Sequence, residues 1–233
     1  MGDPAPIRSV RFAWRDLGEQ LAAFAARWPA ACADRGGLAF VSPDGRARLR
    51  LPLAVTRPSP LETVAFYAAR PQEDLGRQAV LLLRAGAVAL GCWEDEELVL
   101  HKAIRKYVVR GHGRAQPTHL KTRGKSRYGA RLRLQNWRRL LTETNGRLHD
   151  LWDEIGAPQR LFWSAPVRVW ADLFAASPPP PFERDAPELQ RLPVHVHRPD
   201  FAELQRIRGW LLHGRLELPD DTSNDPSGAP TAP

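Results

Sequence analysis

The sequence predicts an α/β fold, a mixed β-sheet with flanking helices, and two observations carry that reading. Three apolar, strand-like runs, Ala79 to Arg84, Ala87 to Trp93 and Leu98 to Val109, are separated only by Ala85-Gly86 and by Glu94 to Glu97. Breaks that short predict an antiparallel meander. After it, helical and strand-like periods alternate, which adds crossover strands and places helices on the sheet faces.

The elements follow in chain order. Ile7 to Trp14 alternates apolar and polar residues like a half-buried strand. Asp16 is placed to cap a helix from Leu17 to Trp28 whose Leu21, Phe24 and Trp28 share a face. Pro43-Asp44-Gly45 between Leu38–Ser42 and Arg46–Leu51 signals a hairpin. Arg57 to Pro71, with three prolines, reads as a loop around one short helical piece. Beyond the meander, Gly111 to Arg127 has no apolar periodicity and is expected to form a long exposed loop. Tyr128 to Ile155 reads as one helix, because Trp137, Leu140, Leu141, Leu148, Leu151, Trp152 and Ile155 recur at steps of three and four. A strand at Arg160 to Ser164, a short helix from Pro166 to Phe174, a strand at Arg191 to His197, a helix at Phe201 to His213 and a strand at Leu216 to Leu218 complete the pattern. Residues 1–218 are expected to form a single domain with the cationic loop 111–127, followed by a disordered tail over 219–233.

Charge is the sharpest functional signal. The net charge is +8, yet no Asp or Glu occurs from Leu98 through Thr142, where thirteen Lys and Arg side chains fall. Subtracting those thirteen leaves the rest of the chain near −5, so one cationic segment is set into a mildly acidic protein. Such a segment points to a polyanionic partner. Cys32 and Cys92, without CxxC spacing, give neither a disulfide framework nor a zinc site. No apolar run is long enough to cross a membrane. With an N-terminus unlike a secretory signal, a cytoplasmic location is expected.

Within the cationic segment, His101-Lys102, Tyr107, Arg110, Gly113, Gln116, Lys125-Ser126, Gly129 and Leu132-Arg133 fall in a definite order. They run from the end of a strand, through a glycine-containing loop, into a long helix. This arrangement resembles the central domain of the Vms-like release factors, relatives of the eukaryotic and archaeal class-I release factor, over about residues 79 to 174. The resemblance implies a ribonuclease H-like variant fold. It also implies a Gly-x-x-Gln loop that frees nascent chains from peptidyl-tRNA on stalled or split large ribosomal subunits, by ester hydrolysis or by cleavage near the tRNA 3′ end. On that reading Gln116, Gly113 and Arg110 carry the catalytic work. Lys102, Arg105, Lys106, Arg114, Lys121, Arg123, Lys125, Arg127, Arg131 and Arg133 hold RNA. The expected partners are the large subunit and peptidyl-tRNA; a monomer with no cofactor and no metal is expected. The tip departs from Gly-Gly-Gln in having Arg114-Ala115 between its glycine and glutamine, and Pro117 restricts Gln116 to extended backbone.

The residue chemistry agrees with that expectation. A glutamine amide has one acceptor oxygen and two donor hydrogens, so it can orient a water or hydroxyl while contacting the scissile group. It is a poor base, and positioning is its expected role. Arginine and lysine neutralise phosphates, arginine bidentately. A non-catalytic ribosome- or tRNA-binding module is the competing class, which would use the cations but not Gln116. His101, His112 and His119 are irregularly spaced for zinc, and the pair His195 and His197 is expected to be structural or solvent-facing. Glu143, Asp150, Asp153 and Glu154 are read as solubilising a helix, not as the clustered carboxylates of a metal nuclease. Neither a Gly-x-Ser-x-Gly nor a P-loop pattern is present.

Overall fold

The structure, a computed structural model, describes residues 7–70, 74–108 and 125–219. The chain divides into two compact units, Met1–Glu73 with Gly209–Pro233, and Asp74–Arg208. Each has its own hydrophobic core among the described residues.

The first unit is built on an antiparallel five-stranded sheet. Its strands are β1 (Ile7–Ala13), β2 (Cys32–Ala33), β3 (Ala39–Val41), β4 (Arg48–Arg50) and β10 (His213–Pro219), in the order β1-β10-β4-β3-β2. Ile7 pairs with Pro219 and Ala13 with His213, so the last strand is held by the first. Helix α1 (Leu17–Arg27) buries Leu17, Leu21 and Phe24, and the short α2 (Val64–Ala68) buries Val64 and Tyr67, all into one core with Phe12, Phe40 and Leu49. The predicted hairpin is present as β3 and β4, with the Ser42 hydroxyl donating to Asp44 at 2.5 Å across its turn. Asp16 differs from expectation. It has helical backbone and makes no cap to α1; its carboxylate accepts the Ala13 N–H at 3.3 Å and closes the 3-10 turn ahead of the helix. The two-residue strand β2 is too short to leave any periodicity in the sequence.

The second unit contains the mixed sheet, in the order β7-β6-β5-β8-β9. β5 (Arg77–Arg84), β6 (Ala87–Glu94) and β7 (Glu97–Arg105) form the antiparallel meander, while β8 (Arg160–Ser164) runs parallel to β5 and β9 (Leu189–Arg191) parallel to β8. Helix α3 (Lys125–Ile155) and helix α4 (Val167–Ala175) share a core with one face of this sheet. Leu140, Leu141, Leu148 and Leu151 of α3 meet Leu81, Leu83, Val88 and Leu90 there, each at most 4% exposed. Burying side chains of this size stabilises by about 1.5–3 kcal/mol apiece relative to exposure. Trp170 of α4 stacks on Trp163 of β8 at 3.9 Å, nearly parallel.

The strand expected at Arg191 to His197 ends at Arg191. Leu192 still donates to the Trp163 carbonyl at 2.8 Å, and Pro193 follows with its nitrogen toward the open edge of the sheet, where it breaks no bond to β8. α3 also anchors the segment after α4 through side chains on one face. Thr142 donates to the Ser177 carbonyl (3.1 Å), Asn145 to that of Pro178 (2.7 Å), and His149 bonds that of Pro179 (2.8 Å). Helix α5 (Phe201–Leu211) begins in this unit, where Asp200 accepts the Glu203 N–H at 3.0 Å and so caps its first turn.

Candidate nucleic-acid interface

Residues 109–124 connect β7 to α3, so these two elements frame the cationic segment. Gln116, Gly113, Arg110, Arg114, Lys121 and Arg123 lie outside the described residues. Lys125 and Arg127 stand at the start of α3. What the structure does place is the root of the connection and the face of α3 beyond it.

Strand alternation divides the β7 cations. Lys102 pairs opposite Leu90, on the same face as core residue Ile104, and is exposed. Arg105 points to the other face, where its guanidinium meets Asp200 at 3.2 Å. His101 lies on that second face too, exposed, with its ring 4.2 Å from the Phe201 ring.

After β7 the chain is tied down residue by residue. Lys106 donates its N–H to the Gly86 carbonyl at 3.0 Å. Its ammonium lies 2.7 Å from the Glu143 carboxylate on α3. The next carbonyl, of Tyr107, accepts from the Asn136 amide at 2.9 Å. Two side chains of α3, seven residues apart, thus clamp two successive residues of the exit strand. The Lys106–Glu143 pair is partly solvated, and pairs of that kind contribute only about 0–1 kcal/mol to stability.

The outward face of α3 continues from this clamp. Gln135, Arg138, Arg139, Thr142 and Glu143, at helical steps of three and four, line with Lys106 an open pocket of about 390 Å³. On the other side of Arg138, a pocket of about 450 Å³ lies between α3 and α4, with Leu134, Trp137 and Leu141 in its wall. Trp137 is fixed there by donating its indole N–H to Asp172 at 3.1 Å. Arg131 is exposed and Arg133 half-buried, the latter lying back over Gly129. Among the described residues, Lys102, Arg131, Arg133, Arg138 and Arg139 have no carboxylate at ion-pair distance.

By sequence Lys106 is a cation for RNA and Glu143 a solubilising carboxylate; the structure joins them. Asn136, Arg138 and Arg139 are not singled out by the sequence as site residues. One signal was available: Glu143 is the first carboxylate after the acid-free run, one helical turn beyond Arg139. The buried cation elsewhere in this unit is structural. Arg208 donates to Gln78 at 2.6 Å and to the Asp95 carbonyl over the Trp93 ring, and burial lowers its guanidinium to about 10. Among the described residues no group of three or more His, Cys, Asp or Glu side chains can hold a metal ion, and no helix is long and apolar enough to cross a membrane.

Comparison with known proteins connects this geometry to a family. The curated mouse protein tRNA endonuclease ANKZF1 is 33% identical over 132 residues, covering 55% of this chain and 18% of its own length. The bovine protein of the same name is 33% identical over 154 residues, covering 62% of this chain and 20% of its own. The chain therefore spans about a fifth of the length of these curated relatives. A solved structure described as the Vms1 mitochondrial localization core is similar at a TM-score of 0.48 and 15% identity, over 84% of this chain and 81% of that one. Residues 78–217, more than half of the chain and including β7, the cationic connection and α3, match the family model described as Bacteroidetes VLRF1 release factor. The chain belongs to the VLRF1 release-factor family.

Proposed function

We propose that this protein frees nascent chains from peptidyl-tRNA on stalled or split large ribosomal subunits, using the loop from Gly113 to Gln116 as its working tip. The observation that carries the reading is the placement of the acid-free run. Its thirteen cations flank Gln116, and the family match extends through both framing elements. Affinity then comes from phosphate neutralisation, and chemistry from one neutral amide brought to the scissile group.

Two reactions fit that tip. In ester hydrolysis, Gln116 orients a water onto the peptidyl ester carbonyl; the bond to the tRNA ribose oxygen breaks, leaving a peptide carboxylate and an intact tRNA. In tRNA cleavage, a ribose 2′-hydroxyl attacks the adjacent phosphorus and the neighbouring 5′-oxygen leaves with a proton. A cyclic phosphate then ends the tRNA, and the peptide departs on the short 3′ fragment. Arg110 would hold the phosphate in the second case. The name tRNA endonuclease borne by the mouse and bovine relatives favours cleavage. The proposed setting is the cytoplasm, and the protein acts as a monomer without cofactor.

The decisive experiment incubates the protein with large subunits carrying a labelled nascent chain and maps the 3′ end of the released tRNA. A shortened tRNA with a cyclic phosphate supports cleavage, and an intact 3′ end supports hydrolysis. Subunits that keep their nascent chain on tRNA would leave only the non-catalytic binding module.

A further inference from the structure

We propose that the pocket between Lys106 and the outer face of α3 is an RNA phosphate subsite in which Glu143 holds the place of a phosphate oxygen until RNA arrives. The proposal rests on the release-factor reading for the identity of the RNA, a tRNA backbone, and adds a site and a displacement to it.

The lining supplies three cations, Lys106, Arg138 and Arg139, against one carboxylate, Glu143, with Gln135 and Thr142 as neutral hydrogen-bonding neighbours. Phosphodiesters are bound by this kind of set, an ammonium as a point charge beside guanidinium forks. The site is open, with room for a ribose-phosphate segment in about 390 Å³. It is also pre-formed. The Lys106 backbone is held by Gly86 and the next carbonyl by Asn136, so the ammonium is presented from a fixed root. Arg138 and Arg139 project from the same rigid helix one turn before Glu143.

Glu143 is the detail that distinguishes a built site from a solvated helix face. Its carboxylate accepts from the Lys106 ammonium at 2.7 Å, the interaction a phosphate oxygen would make. A partly exposed pair is readily exchanged, since each partner is solvated when separated. In free protein the carboxylate holds the Lys106 ammonium at the pocket. On binding, the phosphate takes the ammonium and the carboxylate turns to water. The site lies at the root of the connection that carries Gln116, so RNA engaged there is registered against the tip.

The test is equilibrium binding of deacylated tRNA to the full protein across about 50 to 200 mM salt, with thermal unfolding of every variant in parallel. Arg138→Ala together with Arg139→Ala should weaken binding and reduce the magnitude of the log K against log salt slope by about 1 to 2, close to one per lost phosphate contact. Glu143→Gln should tighten binding roughly 3- to 10-fold, by removing a competing negative charge from the pocket. That gain is the readout a merely structural pair would not give, because loss of a structural ion pair lowers the unfolding temperature and leaves affinity level or reduced. Equal or weaker binding by Glu143→Gln in a protein that still releases nascent chains overturns this subsite and leaves the release reading intact. Failure of the wild-type protein to bind tRNA overturns the subsite, and tRNA binding without release overturns the release reading alone.

Discussion

Burial holds the Cys92 thiol up at about 11, whereas Cys32 is half-buried with its Sγ 3.5 Å from the Ala30 carbonyl. A thiol-specific reagent should therefore label Cys32 rapidly in the native protein and reach Cys92 only on unfolding. Two fast-reacting thiols under native conditions would contradict the buried β6 position. The pH dependence follows from the same shift: Cys92 contributes fully below its unfolded value of 9.0, and that contribution is lost as pH rises towards 11, because the unfolded thiol ionises first. At this scale the sequence was informative about residue type and silent about pairing. Lys106 and Arg105 are adjacent cations, yet strand alternation sends one to Glu143 and the other to Asp200. Neither partner is near in sequence, so no local pattern announces them. Arg138 and Arg139 belong to the cationic run, and only the phase of α3, fixed by its buried leucines, places them on a pocket.

Among elements, the meander turn and α3 make opposite demands on a glycine. Gly86 sits at φ +84°, and a Cβ there would come within 2.8 Å of the Lys106 carbonyl. Gly86→Ala should therefore destabilise by more than about 1 kcal/mol and disturb the root of the cationic connection. Gly146 lies inside α3, where an added methyl would meet nothing within 4 Å, so Gly146→Ala should stabilise by about 0.5–1 kcal/mol through helix propensity. Thermal or urea unfolding of the two variants checks both signs; equal shifts in the same direction would contradict these positions. Long elements were legible because apolar period decides them: α3 and the three meander strands were read from repeating Leu, Val and Trp positions. β9 lies earlier in the chain than the alternation through Leu192, Val194 and Val196 suggests, and it ends at Arg191.

For the molecule as a whole, the described residues form two hydrophobic cores. β10 closes the first unit's sheet by pairing with β1, a contact between chain ends about which local periodicity carries no information. The charge asymmetry, by contrast, was legible in full, because it depends on composition along the chain and not on packing. It leads to a prediction at this scale: charge reversal at Arg123, Lys125 and Arg127 should weaken sedimentation with ribosomal particles and flatten its salt dependence. Unchanged affinity and slope would separate the acid-free run from binding. The central claim, that one neutral amide at the tip does the chemistry while the cations do the holding, is tested most directly by Gln116→Ala. Single-turnover release from stalled peptidyl-tRNA complexes is measured with ribosome affinity in parallel. The account predicts a rate loss on the order of 10²-fold or more, as for other misplaced reacting groups, with affinity nearly unchanged because no charge is removed. Release at the wild-type rate by the Gln116→Ala protein would contradict it.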